Sequence, residues 1–266
     1  KHLGTSESLL VNASTWALML TGRIMRFEAP EARDLGGMLK RLVVRSGEPV
    51  IRQAVTQAMR ILGRQFVMGR DIGEALERAE AMEKRGYRYS YDMLDEAART
   101  MRDAERYDRA YHAAIGAIGK AAAGRGPFAG PGISVKLSAL HPRYCRAQAD
   151  RVMAELLPRL RHLAVLARRY DIGLNIDAEE ADRLELSLDL LESIALDPEL
   201  QEWDGVGFVV QAYGKRCPFV IDWSIDLARR TRRRIMVRLV KGAYWDSEIK
   251  RAQVNGLAGF PVYTRK

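Results

Sequence analysis

The chain has 266 residues, 47% of them hydrophobic and 29% charged, a composition that excludes disordered and fibrous classes and leaves room for a sizeable core. Lys and Arg number 43 against 34 Asp and Glu, a net charge of +9 that fits solvated helix faces, with nucleic acid or an anionic membrane surface as the alternative partner. Cys145 and Cys217 are too few for a disulfide framework, and His2, His112, His141 and His162 do not stand at metal-ligand spacing, so reduced thiols and no metal are expected.

Lys1 opens the chain with no signal-peptide pattern, and the apolar run from Trp16 to Leu20 is too short to span a bilayer. Both ends read as cuts within a longer polypeptide. Residues 1–86 read as an all-helical arm: Pro49 opens one helix, and Ile72 to Arg85 forms another with Ala75, Leu76, Ala79 and Met82 on one face and Gly86 as its stop. Beyond Gly86 the pattern alternates. Tyr87–Met93 reads as a strand, Asp95–Ile118 as a helix, and Gly119–Gly132 as a loop on account of its glycines. Ile133–Leu137 is a buried strand, Ala147–Tyr170 a helix kinked at Pro158, Gly173–Asp177 a strand and Glu179–Leu196 a helix. Val206–Gln211 is the next strand, Pro218–Arg232 a helix whose basic end complements its dipole, and Ile235–Val240 the last strand. Asp246 and Ser247 are expected to cap a helix through Ala252.

Strands alternating with helices require parallel pairing through helical crossovers, in an eight-fold (βα) barrel or a doubly wound sheet. The barrel is favoured because the strands share a polar ending. The expected fold is therefore α/β: residues 87–266 form the first five or so units of a (βα)8 barrel, preceded by the helical arm 1–86.

Lys136, Asp177, Gln211 and Arg238 each stand at or near the C-terminal end of a different expected strand, where a barrel gathers its catalytic groups. Ion pairing of Asp177 with Arg238 or Lys136 would offset the cost of burying them, and the same four residues serve equally as a purely structural network. Arg238, Val240, Lys241, Gly242, Ala243, Tyr244 and Trp245 add cations, a glycine and aromatics directly after one strand, a set suited to a flat anionic cofactor or to an ordinary capping loop. Gly116–Lys120 and Gly124–Gly126 only partly match phosphate-binding loops and are set aside.

Several longer stretches then become recognisable. Val135–Tyr144, Asn175–Glu180 with Asp182–Glu185, Gln211–Tyr213 with Lys215–Arg216, and Val237–Asp246 resemble, in order, successive strand motifs of the proline dehydrogenase domain of the proline utilization A family; Ser46–Pro49 resembles the segment before its barrel. The resemblance implies FAD-dependent oxidation of L-proline to 1-pyrroline-5-carboxylate, with a hydride passing to the flavin and electrons onward to a membrane quinone. It implies a cytoplasmic protein peripherally associated with the inner membrane, a homo-oligomer, and a C-terminal pyrroline-5-carboxylate dehydrogenase domain that completes proline catabolism to glutamate. DNA is expected as a partner only through an N-terminal domain absent here.

By the same resemblance Lys136 holds the proline carboxylate, Arg238 lies near the reactive flavin nitrogen, Asp177 pairs with that arginine, and Tyr244 walls the substrate ring. Gln211, Arg238, Val240, Lys241, Gly242, Ala243 and Trp245 become the cofactor contacts. The family places further substrate-binding groups in later strands and a final helix, so this stretch alone is expected to be inactive. Two rivals are a Schiff-base lyase using Lys136 or Lys241, and a non-enzymatic basic module resting on the net charge.

Overall fold

A computed structural model of the protein describes residues 67–94 and 97–265, together with positions 56, 59 and 63. Most of the expected helical arm lies outside the described residues. The chain divides into two compact units, Lys1–Arg70 and Asp71–Lys266, and the elements that follow belong to the second.

Helix α1 spans Ile72–Glu83, started by the Asp71 carboxylate, which accepts the Glu74 amide. After strand β1 (Ser90–Asp92) comes α2 (Met101–Ala122), opened by a capping box in which Thr100 and Asp103 satisfy each other's backbone amides. The expected loop over Gly119–Gly132 is corrected here. Helix α2 continues to Ala122, and a short α3 (Gly126–Ala129) precedes strand β2 (Gly132–Val135). Gly119 marks close packing, not a turn: a Cβ there would lie 2.2 Å from the Tyr170 ring. Gly119→Ala is therefore expected to destabilise the fold by about 1–3 kcal/mol through overpacking, read as a lower urea midpoint with unchanged slope.

Leu137, expected at the end of a strand, instead begins the short helix α4 (Leu137–Leu140). Helix α5 (Ala149–Arg169) runs as one element through Pro158. Pro158 and Ala154 are both exposed, so water can reach the Ala154 carbonyl that the missing proline N–H leaves without its helical partner. Strand β3 (Gly173–Ile176) leads into α6 (Leu184–Ala195), which starts five residues later than expected and leaves Glu179 in the loop. Strand β4 (Val206–Gln211), helix α7 (Cys217–Thr231) and strand β5 (Met236–Val240) follow. Helix α8 (Trp245–Val254) is capped at Tyr244, so Asp246 and Ser247 lie within its first turn instead of capping it.

The five strands pair in parallel in the order β1-β2-β3-β4-β5. A doubly wound sheet reverses its strand order at a switch point; this one does not. The alternation of each strand divides the sheet into two faces. One carries Ile133, Val135, Leu174, Ile176, Phe208 and Val210, all buried; on the helical side α2 packs on β2, α5 on β3 and α7 on β4. The other carries Ser90, Asp92, Ser134, Lys136, Asn175, Asp177, Gln211 and Arg238. A flat sheet would separate β1 from β5 by four strand spacings, roughly 19 Å, farther than any side chain reaches. Yet Arg238 on β5 donates to Ser90 on β1 at 2.7 Å, so the sheet is rolled, with its polar face concave. No described helix is long and apolar enough to cross a membrane.

Candidate active site

Register sets the polar cluster. Ile176 pairs with Phe208, and Val209 pairs with Arg238, so Asp177 and Arg238 stand level on either side of β4. Val135 pairs with Ile176, and the Asp177 amide continues the ladder to the Val135 carbonyl, which puts Lys136 on the same level. Three of the four expected strand-end residues thus meet. Lys136 Nζ lies 2.6–2.7 Å from both Asp92 carboxylate oxygens and 3.4 Å from Asp177. Arg238 lies 3.6 Å from Asp177 and donates to Ser134 at 2.9 Å and Ser90 at 2.7 Å. The Ser90 and Ser134 hydroxyls are themselves 3.2 Å apart.

The network is balanced: two carboxylates, Asp92 and Asp177, face two cations, Lys136 and Arg238. Lys136 and Asp177 are largely buried, at 12% and 14% side-chain exposure, whereas Arg238 at 37% reaches the open side. Burial pulls the Lys136 ammonium down, but Asp92 and Asp177 outweigh it and hold the group above its ordinary value. Burial pushes the Asp177 carboxyl up, against the pull of Lys136 and Arg238. The Schiff-base reading is corrected by this arrangement. It needs a lysine that gives up its proton readily, whereas Lys136 is clamped as a cation, and Lys241 is exposed to solvent.

Gln211 lies two residues beyond Val209 and serves the next loop. Its amide donates to the Glu179 carbonyl at 2.8 Å, and its carbonyl oxygen accepts from the Tyr213 hydroxyl and the Ala243 amide. Lys241 to Tyr244 form the turn from β5 to α8, above Val240. Gly242 there has φ +115, a conformation open to glycine, and Tyr244 donates its amide to the Tyr213 hydroxyl. The Trp245 indole donates to the Tyr263 carbonyl while staying partly exposed. Lys241 is exposed, Arg238 half-open and Trp245 partly exposed, and this set of cations and an aromatic has the chemistry a flat anionic cofactor needs; the space left by the missing Cβ of Gly242 is taken by the Tyr213 ring.

A cavity of about 550 Å³, counting space open to solvent, lies beside this network and not over it. Tyr144, Glu179, Arg183, Gln211, Tyr213 and Cys217 line it, whereas Lys136, Asp177 and Arg238 do not. The ion-pair network is the better guide to chemistry, because it converges charge at strand ends and the cavity does not.

Five participants are not among the expected site residues: Ser90, Asp92, Ser134, Glu179 and Tyr213, although Asp92 is itself a charged strand end, on β1. Strand parity carries the signal for three of them, since Ser90 and Asp92 flank Tyr91 as Ser134 and Lys136 flank Val135. Glu179 carries no such signal. It is buried, accepts the Ser138 amide and pairs with Arg183 at 2.7 Å, and burial raises its carboxyl. The basic cluster ends α7 as expected, with Arg230 on Asp226 and Glu192 and Arg233 on the Asp197 carbonyl. Arg230 and Arg233 are thus engaged locally, whereas Arg229 and Arg232 are exposed.

Comparison with known proteins bears on this geometry. A family model described as Proline dehydrogenase matches residues 75–266, and one described as DNA-binding domain of Proline dehydrogenase matches residues 1–66. The second match runs against the expectation that a DNA-binding domain is absent from this stretch. The bifunctional protein PutA of Rhizobium meliloti is 64% identical over 265 residues, and that of Escherichia coli strain K12 62%. The alignments cover 100% of this chain and 21% and 20% of those relatives, so the chain spans about a fifth of their length. Proline dehydrogenase 1 of Bacillus subtilis strain 168 is 26% identical over 206 residues, 77% of this chain and 60% of that protein. A crystal structure of a proline utilization A mutant from Bradyrhizobium japonicum superimposes with TM-score 0.72 at 47% identity, covering 100% of this chain and 27% of that one. Proline utilization A from Bdellovibrio bacteriovorus, inactivated by N-propargylglycine, shares the fold with TM-score 0.76 at 21% identity, over 97% of this chain and 31% of that one.

Proposed function

The chain belongs to the proline dehydrogenase family, and on that premise we propose that it builds part of the site of an enzyme that oxidises L-proline to 1-pyrroline-5-carboxylate with bound FAD. The observation that carries the proposal is the level meeting of Lys136, Asp177 and Arg238, from three strands, beneath the Lys241–Tyr244 turn.

Bound FAD would supply the two-electron acceptor; Arg238, Lys241, the backbone of Gly242 and Ala243, and Trp245 are the residues that would hold it. The protein's part is position and field. Arg238 is fixed from three sides, by Ser90, Ser134 and Asp177, so its charge is oriented before negative charge develops above it, at no cost in reorganisation. Proline is a zwitterion, and a neutral cluster of alternating charges suits one. Lys136 would meet the carboxylate, sharing its N–H donors with Asp92 and Asp177. Tyr244 would wall the apolar ring. A membrane quinone as electron acceptor, peripheral association with the inner membrane, assembly into a homo-oligomer and a second dehydrogenase activity elsewhere in the polypeptide complete the proposal. The match over residues 1–66 supports DNA as a partner of that unit.

The test is dye reduction by the purified full-length enzyme, with its visible spectrum. A flavin absorption band and L-proline-dependent reduction are expected. Pyrrolidine, which lacks the carboxylate and leaves Lys136 unmatched, is expected to have kcat/KM at least about 100-fold lower. A colourless protein that reduces no dye, or one that takes pyrrolidine as readily as proline, would overturn the proposal.

A further inference from the structure

We infer that Tyr213 is the positioning residue that shapes the β5–α8 turn, and through it the seat of the cofactor; the inference rests on the reading of that turn as the cofactor loop. Every residue from Lys241 to Tyr244 is held by Tyr213 or by the group it orients. The Tyr213 amide donates to the Lys241 carbonyl at 3.1 Å. Its ring occupies the space a side chain on residue 242 would need, since a Cβ there would fall 1.6 Å from a ring carbon. Its hydroxyl donates to the Gln211 side-chain oxygen at 3.0 Å, and that oxygen accepts the Ala243 amide at 3.3 Å. The same hydroxyl accepts the Tyr244 amide at 3.3 Å.

The remaining contacts tie this hub to the barrel. Gln211 is anchored to the β3–α6 loop through the Glu179 carbonyl, and the Tyr213 carbonyl accepts the Tyr263 amide at 2.8 Å. The turn between Arg238 and Tyr244 is therefore not shaped by its own sequence. It is moulded on the tyrosine of the turn that follows β4, with Gly242 supplying the absent Cβ and the positive φ that let the ring approach. Burial raises the Tyr213 phenol, so at neutral pH it remains a hydroxyl able to donate to Gln211 and accept from Tyr244. An interaction that fixes the turn before the cofactor arrives contributes affinity by preorganisation, with no contact to the cofactor itself.

The test uses the full-length enzyme. Tyr213→Phe keeps the ring against Gly242 and removes only the hydroxyl. Flavin is expected to bind at least fivefold more weakly, with an altered visible circular dichroism of the bound flavin, while the melting temperature of the flavin-free protein stays within about 2 °C. Because the hydroxyl acts partly through Gln211 and partly on the Tyr244 amide directly, adding Tyr213→Phe to Gln211→Ala is expected to cost less than Tyr213→Phe costs in the wild-type background. Flavin affinity within twofold of wild type with an unchanged spectrum, strictly additive effects, or failure of Tyr213→Phe to fold would each overturn the inference while leaving the site assignment intact. A wild-type enzyme that binds no flavin would instead overturn the site assignment, and this inference with it.

Discussion

Arg238→Ala is expected to lower proline turnover by the full-length enzyme about 10²- to 10³-fold, the usual cost of removing one preorganised donor from a site where charge develops. The geometry explains why so much rests on one side chain. Arg238 crosses the concave face from β5 to reach Ser134 on β2 and Ser90 on β1, and lies against Asp177, directly after β3. Three strands therefore fix one planar cation. Arg238→Lys restores the charge but not the fork: a single ammonium cannot serve both serines while facing Asp177. It is expected to remain at least tenfold below wild type. Steady-state dye reduction corrected for flavin content separates this loss from simple loss of cofactor. Turnover of Arg238→Ala within threefold of wild type would remove Arg238 from the mechanism.

Lys136→Met is expected to be the most damaging single change to the fold of this face. It leaves Asp92 and Asp177 facing one another without the cation that both now contact. Removing one partner of a buried ion pair costs about 3–5 kcal/mol; Asp92 is more open, so about 2–4 kcal/mol is expected here. The pH dependence has a definite sign. Burial already raises Asp177 above its ordinary value of 3.8, and loss of Lys136 raises it further. A carboxyl raised in the folded state gives stability that is full at acid pH and falls as pH climbs through the raised value. Lys136→Met should thus lose most relative to wild type near pH 7–8 and least near pH 4. In wild type Lys136 is itself raised above 10.5, so its contribution is full across that range and is lost only as pH rises through the still higher folded value. Adding Asp92→Asn should recover much of the loss near neutrality. Thermal melts followed by circular dichroism at both pH values check this. A pH-independent loss, or no rescue by Asp92→Asn, would mean the pair is not the source.

The strands and their polar endings were legible because buried parallel strands are short apolar runs in which a lone charge stands out, as Lys136, Asp177 and Arg238 do. The boundaries were less legible where a residue answers to a distant partner. Gly119 looks like a turn glycine, yet its missing side chain makes room for Tyr170, 51 positions on. Glu179 looks like the start of a helix, yet it is buried in the preceding loop, holding Ser138 and Arg183. Leu137 looks like a continuing strand, yet the chain turns into a short helix directly after Lys136.

The sequence by itself determined the alternation of strand and helix, and with it parallel pairing, because short apolar runs and helical patterns are local properties of the chain. It also determined which charges end the strands. Only the tertiary structure decided that the sheet is rolled and singly wound, that Asp92, Ser90 and Ser134 complete the cluster, and that Gln211 serves the turn through Tyr213. Those facts depend on register and curvature, which bring together residues as far apart as Ser90 and Arg238, and no local pattern encodes contacts between positions so distant in sequence.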